Sequence, residues 1–171
     1  MTTGWGHLPV RYLHPGEWYV GGGPQWLHTV LGSCVAMVLW HADRCVGGLC
    51  HYVLPGISPH GSGNGNYAED ALSLLTLALR QQGCEVADCR VGLYGGGHPA
   101  ITAGKTECHD EPGGRNAEEA WRLVGHYGLI APHQDLGGHF YRRVTMNLQS
   151  GEVRVDRYGW TGGFRSPQPQ S

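Results

Sequence analysis

The feature that most constrains the fold is a run of six apolar residues, Val35 to Trp40. An unbroken apolar run of this length is typical of a strand that is buried on both faces. Gly32, Ser33 and Cys34 come directly before it, so we expect the thiol to lie where a tight turn enters that strand. The small residues beside it leave backbone N–H groups free to face a reacting oxygen.

A second strand-like segment, Arg44 to Leu54, follows after a predicted chain reversal at Asp43. The two segments together predict a hairpin. Such a hairpin brings Cys34 and His51 together from neighbouring strands. A cysteine beside an imidazole is the arrangement that a thiolate–imidazolium nucleophile requires.

The remaining periodicities predict two helices. Apolar residues recur at helical spacing from Tyr67 to Gln82, where Asn66 is the predicted N-cap and Gly83 the stop. A second helix is predicted from Ala117 to Tyr127, with Asn116 as its cap and Gly128 at its end. The predicted strands and loops are a first strand around 17–20, a turn at 21–25, loops at 26–34 and 55–66, and strands at 84–94, 129–136, 142–148 and 152–158.

Strands before, between and after two helices indicate an α+β fold, with mixed or antiparallel sheets flanked by the helices. A chain of 171 residues suits one domain. We therefore expect a single domain over residues 1–163. The tail 164–171, which is rich in Pro, Gln and Ser, is expected to be disordered.

Composition excludes several classes of function. The formal net charge is -2 and the basic residues are scattered, which argues against a nucleic-acid partner. No apolar run approaches the roughly 20 residues of a membrane span. The N-terminal residues lack a signal-peptide pattern, so a cytoplasmic protein with reduced cysteines is expected. No cofactor is expected.

The chemistry has a competing interpretation in metal binding. Cys50-His51, Cys108-His109 and a further histidine could together hold a metal ion, although their spacing resembles no standard zinc site. The favoured interpretation is that His51 takes the Cys34 proton and that the thiolate attacks a carbonyl. The cysteine and histidine set the reaction type and leave the substrate open.

Several segments of the sequence resemble the chemoreceptor glutamine deamidase CheD family, in order from about residue 17 to 157. The distinctive ones surround the cysteine and the histidine. The matching segments are Thr29-Val30-Leu31-Gly32-Ser33-Cys34-Val35-Ala36, Gly47-Gly48-Leu49-Cys50-His51-Tyr52-Val53-Leu54-Pro55, Asn66-Tyr67-Ala68, Tyr94-Gly95-Gly96-Gly97, Gly114-Arg115-Asn116 and Asp135-Leu136-Gly137-Gly138.

The resemblance implies a Cys–His–Thr hydrolase that converts glutamine side chains of methyl-accepting chemotaxis receptors to glutamate. It implies a sandwich of sheets flanked by helices, similar to the catalytic domain of cytotoxic necrotizing factor toxins. By position, Cys34 is the nucleophile and His51 the general base. The usual position of the family threonine is His28 here, with Thr29 next to it. Three alternatives follow: Thr29 orients the imidazole, His28 does, or the orienting role is weaker in this protein. The phosphatase CheC is a further partner that the family suggests.

Other residues of these segments have two possible roles. Gly32 and Ser33 are candidates for oxyanion binding through their backbone. Asn116 and Arg115 could contact substrate, although a helix cap and a surface charge are the simpler roles, and Tyr67 suits packing better than chemistry. The same thioester chemistry would also serve another cysteine hydrolase or a transglutaminase.

Overall fold

The structure is a computed structural model that describes residues 6–61, 63–98 and 111–159. Within these ranges the chain forms nine strands and two α-helices. In chain order they are β1 (Val10–Tyr12), β2 (Trp18–Gly22), β3 (Trp26–Leu31), β4 (Val35–His41), β5 (Val46–Tyr52), α1 (Ala68–Gln81), β6 (Arg90–Gly95), α2 (Pro112–His126), β7 (His133–Leu136), β8 (Phe140–Asn147) and β9 (Val153–Gly159). The predicted α+β fold is confirmed.

The strands form two sheets. The larger has the order β2-β5-β4-β6-β7 and the smaller the order β1-β3-β8-β9. Most neighbours are antiparallel, while β6 with β7 and β1 with β3 are parallel. Both sheets are therefore mixed.

The large sheet is the middle layer of the fold. One of its faces packs against both helices, in a core that includes Met37, Leu75 and Leu123. Its other face packs against the small sheet, in a second core that includes Val38 and Leu27. Because β4 lies at the centre of this layer, both of its faces are buried, and this explains the apolar run in the sequence.

The predicted hairpin is confirmed. Strand β4 pairs antiparallel with β5, from Val35 opposite Tyr52 to His41 opposite Val46. The chain reverses over residues 42–45, as expected around Asp43. The later turn near Gly151 also joins two paired strands, β8 and β9.

The predicted loop at 26–34 is wrong over most of its length, because Trp26–Leu31 forms β3. This strand alternates buried and accessible residues and lies between β1 and β8. The loop is only the short turn between β3 and β4.

Three other predicted boundaries are also wrong. The strand predicted at 84–94 begins at Arg90, after a 3-10 helix at Val86–Asp88, and the strand predicted from 129 begins at His133. Helix α2 begins at Pro112, which is well suited to the first helical position, rather than at Ala117.

The predicted helix caps differ as well. Glu111 is the N-cap of α2, so Asn116 lies inside the helix. Tyr67 is the N-cap of α1, while the Asn66 side chain donates to Asn64 Oδ1 at 2.9 Å. Neither cap residue makes a side-chain capping hydrogen bond.

Neither of the two α-helices within the described ranges is long and apolar enough to cross a membrane. The predicted tail 164–171 and the Cys108-His109 pair lie outside the described residues.

Candidate active site

Cys34 and His51 lie at one end of the large sheet. Cys34 directly precedes β4, and His51 is the second-last residue of β5, opposite Ala36. Side chains two residues apart on a strand share a face, so Cys34 lies on the same face as Ala36 and is a diagonal neighbour of His51. That face is the one that the small sheet covers. The pair therefore lies at the rim of the core between the sheets.

Thr29 reaches His51 from the small sheet. Its Oγ1 lies 2.8 Å from His51 Nδ1 and 2.7 Å from the carbonyl oxygen of Leu13. The hydroxyl has a single hydrogen, and only a donor can pair with the Leu13 carbonyl. Thr29 therefore donates to Leu13 and accepts from the N–H at His51 Nδ1.

This geometry fixes the tautomer of His51. When Nδ1 carries the hydrogen in a neutral imidazole, Nε2 carries a lone pair. His51 is only 2% exposed, and its Nε2 has no hydrogen-bond partner among the described residues. A buried lone pair without a partner costs free energy, and it is able to accept a proton.

Burial sets the protonation of both groups. It lowers the pKa of His51 to about 4, and it raises the pKa of the Cys34 thiol. Burial therefore favours an uncharged thiol and an uncharged imidazole, because desolvation disfavours both charged forms.

The turn before β4 has its carbonyl groups occupied. The oxygen of Gly32 accepts from Gly97 N at 2.9 Å, and that of Cys34 accepts from Gly96 N at 2.8 Å. The oxygen of Ser33 accepts from the side chain of Asn116 at 3.0 Å. No described backbone group accepts a hydrogen bond from the N–H groups of these three turn residues. The oxyanion-binding role predicted for this turn therefore stays a prediction, with three N–H groups that lack a backbone acceptor.

The loop at 95–97 requires glycine where it meets the turn. Gly95 has a φ of +116°, and a Cβ built there would lie 2.2 Å from the Cys34 oxygen. Only glycine adopts this conformation at that close approach without strain. The loop therefore contacts the backbone of the turn at 32–34 directly.

Arg142 supports this loop from the small sheet, a role that the sequence interpretation missed. Its guanidinium is buried and donates to the Gly95 oxygen at 3.1 Å and to Asp135 at 3.0 Å. A signal did exist in the sequence. Arg142 has the same parity on β8 as the buried Val144 and Met146, so it is placed on the inward face.

His28 lies on the opposite face of β3 from Thr29. Its Nδ1 lies 2.9 Å from Thr145 Oγ1, and its ring packs edge-on against Tyr12. Of the two candidates for orienting His51, the structure brings only Thr29 into contact with it. Tyr67, at the N-cap of α1, makes no described hydrogen bond to the site through its side chain.

The described part of the alternative metal site, Cys50 and His51, does not converge on one position. Cys50 belongs to the core beneath the helices, whereas His51 bonds Thr29 in the layer between the sheets. Neighbouring residues on a strand point to opposite faces, so the two side chains diverge. Among the described residues, no group of three potential ligands converges on a metal position.

Comparison with known proteins places the chain in a family. Residues 53–157 match the family model described as CheD chemotactic sensory transduction. A probable chemoreceptor glutamine deamidase, CheD 1 of Chromobacterium violaceum, is 36% identical over 84% of this chain and 75% of that protein. The probable chemoreceptor glutamine deamidase CheD of Pseudomonas fluorescens is 35% identical over 84% of this chain and 81% of its own length.

The family model begins after the candidate site, but the alignments with relatives include it. An alignment that spans 84% of a 171-residue chain necessarily contains the segment from Thr29 to His51. A third relative, CheD 3 of Dechloromonas aromatica, is 30% identical over 90% of both chains. The chain belongs to the CheD family.

Proposed function

We propose that this protein hydrolyses the side-chain amide of glutamine residues in methyl-accepting chemotaxis receptors, giving glutamate and ammonia. The relatives described above are named as probable chemoreceptor glutamine deamidases. The observation that carries the proposal is the orientation of His51. Its Nδ1–H donates to Thr29, and its unpartnered Nε2 is on the sheet face that it shares with the half-buried Cys34.

The first half of the reaction forms a thioester. As the Cys34 sulfur bonds to the glutamine side-chain carbonyl carbon, His51 Nε2 takes the thiol proton. The carbonyl oxygen becomes an oxyanion, for which the free N–H groups at 32–34 are the donors. The intermediate collapses when the carbon–nitrogen bond breaks, and His51 returns the proton to the leaving nitrogen, which departs as ammonia.

The second half regenerates the enzyme. His51 Nε2 takes a proton from water while the water oxygen bonds to the thioester carbon. The same N–H donors bind the second oxyanion. The carbon–sulfur bond then breaks, releasing a glutamate side chain, and the proton on His51 returns to the Cys34 sulfur.

A primary amide on a receptor surface fits a site of this kind. Its leaving group is ammonia, so no peptide bond has to be cut and no chain has to be displaced. Cys34 is only partly buried and lies at the rim of the sheet, so it can meet a side chain that extends from a protein surface.

The decisive test is to incubate the full chain with a purified receptor cytoplasmic fragment. Ammonia release is measured together with the mass change of an amide-to-acid conversion at individual glutamines. We expect turnover by the wild type and none by Cys34→Ala. Cys89→Ala is the matched control, because Cys89 is also half-buried but lies far along the chain from the site.

Two outcomes would contradict the proposal. Folded wild type that releases no ammonia would show that the family fold is present without this activity. Incorporation of an added primary amine in preference to water would instead favour the transglutaminase alternative, since the thioester would then be taken by the amine.

We further propose that the protein acts in the cytoplasm and that a CheC-type phosphatase binds it. The five described cysteines are all free, which suits a reducing compartment. The CheC partner has support only from the family resemblance. Co-purification of the two proteins, and a change in deamidation rate when CheC is added, would test it.

A further inference from the structure

Asn116 is fully buried in α2 and contacts the strand ends that carry the nucleophile and the base. Its Nδ2 donates to the Ser33 oxygen at 3.0 Å and to the Val53 oxygen at 2.7 Å. Its own backbone oxygen accepts from the Tyr52 hydroxyl. The side chain thus joins the turn before Cys34 to the end of β5.

These contacts lie where the sheet stops. Val35 opposite Tyr52 is the last pair of the β4–β5 ladder at this end. Beyond it, the carbonyls of Ser33 and Val53 have no partner on each other's strand. Asn116 supplies that partner for both, so it extends the connection between the two strands by one step.

The orientation of the amide follows from its acceptors. Both partners are carbonyl oxygens, so the NH₂ group has to face them. Oδ1 then points elsewhere, and it is buried with no hydrogen-bond partner among the described residues. The two donated hydrogen bonds therefore hold the amide in one orientation.

The hydrogen bond from Asn116 to the Ser33 oxygen also sets the direction of the Cys34 N–H. In a trans peptide the C=O of one residue and the N–H of the following residue point in opposite directions, and no described peptide is cis. When the Ser33 oxygen points to Asn116, the N–H of Cys34 points away from α2. That N–H belongs to the nucleophile itself and is one of the free donors of the turn.

Helix α2 packs closely against the 95–97 loop, and this contact holds Asn116 beside the turn at 32–34. A Cβ built on Gly113 would lie 2.2 Å from the Gly97 oxygen, so the first turn of the helix touches the 95–97 loop. The same loop binds the carbonyls of Gly32 and Cys34. The nucleophile turn is therefore held from one side by the loop and by the helix together.

We propose that Asn116 is a positioning residue that orients the Cys34 N–H as an oxyanion donor. The inference rests on the acyl-transfer mechanism proposed above, and it does not depend on the identity of the substrate. Its consequence is specific. Removing the amide slows reactions that pass through an oxyanion and spares reactions of the same thiol that do not.

Two small reagents separate these effects. Acylation by p-nitrophenyl acetate forms a tetrahedral oxyanion, and the Cys34-dependent rate is the difference between wild type and Cys34→Ala. Alkylation by iodoacetamide displaces iodide at a saturated carbon and forms no oxyanion. Peptide mass spectrometry follows alkylation at Cys34 alone.

We expect Asn116→Asp to slow Cys34-dependent acylation about 100-fold, the effect of losing one oxyanion donor, while alkylation of Cys34 stays close to wild type. Asn116→Ala, which also lacks the donor, should behave in the same way. Leu123→Ala is the matched control, because Leu123 is a buried α2 residue of the helix-side core. It should lower the melting temperature and leave both rates unchanged.

The proposal is overturned if acylation and alkylation fall together, because Asn116 would then act on the thiol and the base. It is also overturned if both Asn116 variants behave like Leu123→Ala, with a lower melting temperature and both rates unchanged. The same holds if neither Asn116 variant folds at 25 °C, because in either case the residue would serve the fold alone. If the wild type fails to deamidate the receptor fragment while Asn116→Asp still separates the two rates, the proposed substrate is wrong and this inference is upheld.

Discussion

The small sheet carries two histidine–threonine contacts, one on each face, and their chemical surroundings differ. On the inner face Thr29 meets His51, with Oγ1 and Nδ1 2.8 Å apart. On the outer face Thr145 meets His28, at 2.9 Å. Burial lowers the pKa of both histidines. By residue type and distance the two pairs are nearly the same.

The difference lies in what else each pair touches. The inner threonine also donates to the Leu13 oxygen, which fixes the His51 tautomer and leaves Nε2 free. The outer histidine lies beside an aromatic ring, and its pKa responds to the charges of Arg143 and Asp156. None of the strands of the small sheet contains a cysteine.

The comparison teaches that a histidine–threonine contact is not by itself a catalytic unit. We propose a catalytic role for the inner pair alone, because it faces the large sheet, where a turn presents Cys34 and three N–H groups without a backbone acceptor. The outer pair faces away from that turn. Its simplest role is to hold β1, β3 and β8 together across the sheet.

The largest expected effect comes from removing the Cys34 thiol, which only the inner histidine–threonine pair faces. Cys34→Ala should reduce receptor deamidation by at least about 1,000-fold, because no other described group replaces the nucleophile. Ammonia release from the receptor fragment measures it. Equal loss in Cys89→Ala would show that the assay reports general cysteine damage rather than this site.

The next effect compares the two histidines directly. His51→Ala should lower kcat about 100- to 10,000-fold, the range for loss of a general base, whereas His28→Ala should leave kcat near the wild-type value. Steady-state kinetics on the folded variants decide between the pairs. A large loss of kcat in His28→Ala, together with a wild-type kcat in His51→Ala, would show that His28 rather than His51 is the general base.

The two threonines give a smaller contrast. Thr29→Val keeps the shape of the side chain but removes the acceptor for His51, and we expect a loss of roughly 10- to 100-fold, as for other groups that orient a functional histidine. Thr145→Val should have little effect on kcat. Thr29→Ser keeps the hydroxyl and should recover most of the activity. Failure of the serine variant to recover would argue for a packing role.

The smallest effect is a displacement of the pH profile. A protonated imidazole cannot take the thiol proton, so kcat/KM should be lost as the pH falls through the pKa of His51. Burial lowers that pKa from 6.5 to about 4, so activity should persist well below pH 6.5. A pH–rate profile whose acid limb lies near 6.5 would contradict the buried, uncharged imidazole described here.

Much of the site could be predicted from the sequence because it depends on local pattern. The apolar run at 35–40 and the reversal near Asp43 predicted the hairpin, and the hairpin places Cys34 and His51 on one face. These features follow from strand periodicity and turn chemistry. They need no knowledge of the second sheet.

The parts that local pattern does not predict depend on contacts between layers. The family resemblance made Thr29 one of two candidates for orienting His51, but only the packing of the small sheet on the large one brings it into contact with the imidazole. Asn116 resembled a helix cap, since asparagine favours that position, but the helix begins earlier at Pro112 and carries the amide to the nucleophile turn. Tertiary packing overrides the local preference in both cases.

The measurement that tests the central claim most directly is a search for the covalent intermediate. A reaction of wild type with the receptor fragment is quenched in acid within its first turnover, digested, and examined by mass spectrometry. We predict a receptor glutamine joined through its side-chain carbonyl to the Cys34 sulfur. If Thr29→Val slows hydrolysis of this thioester more than its formation, the variant should contain more of it than the wild type. Turnover with no acylated cysteine, or with the acyl group on a cysteine other than Cys34, would contradict the account.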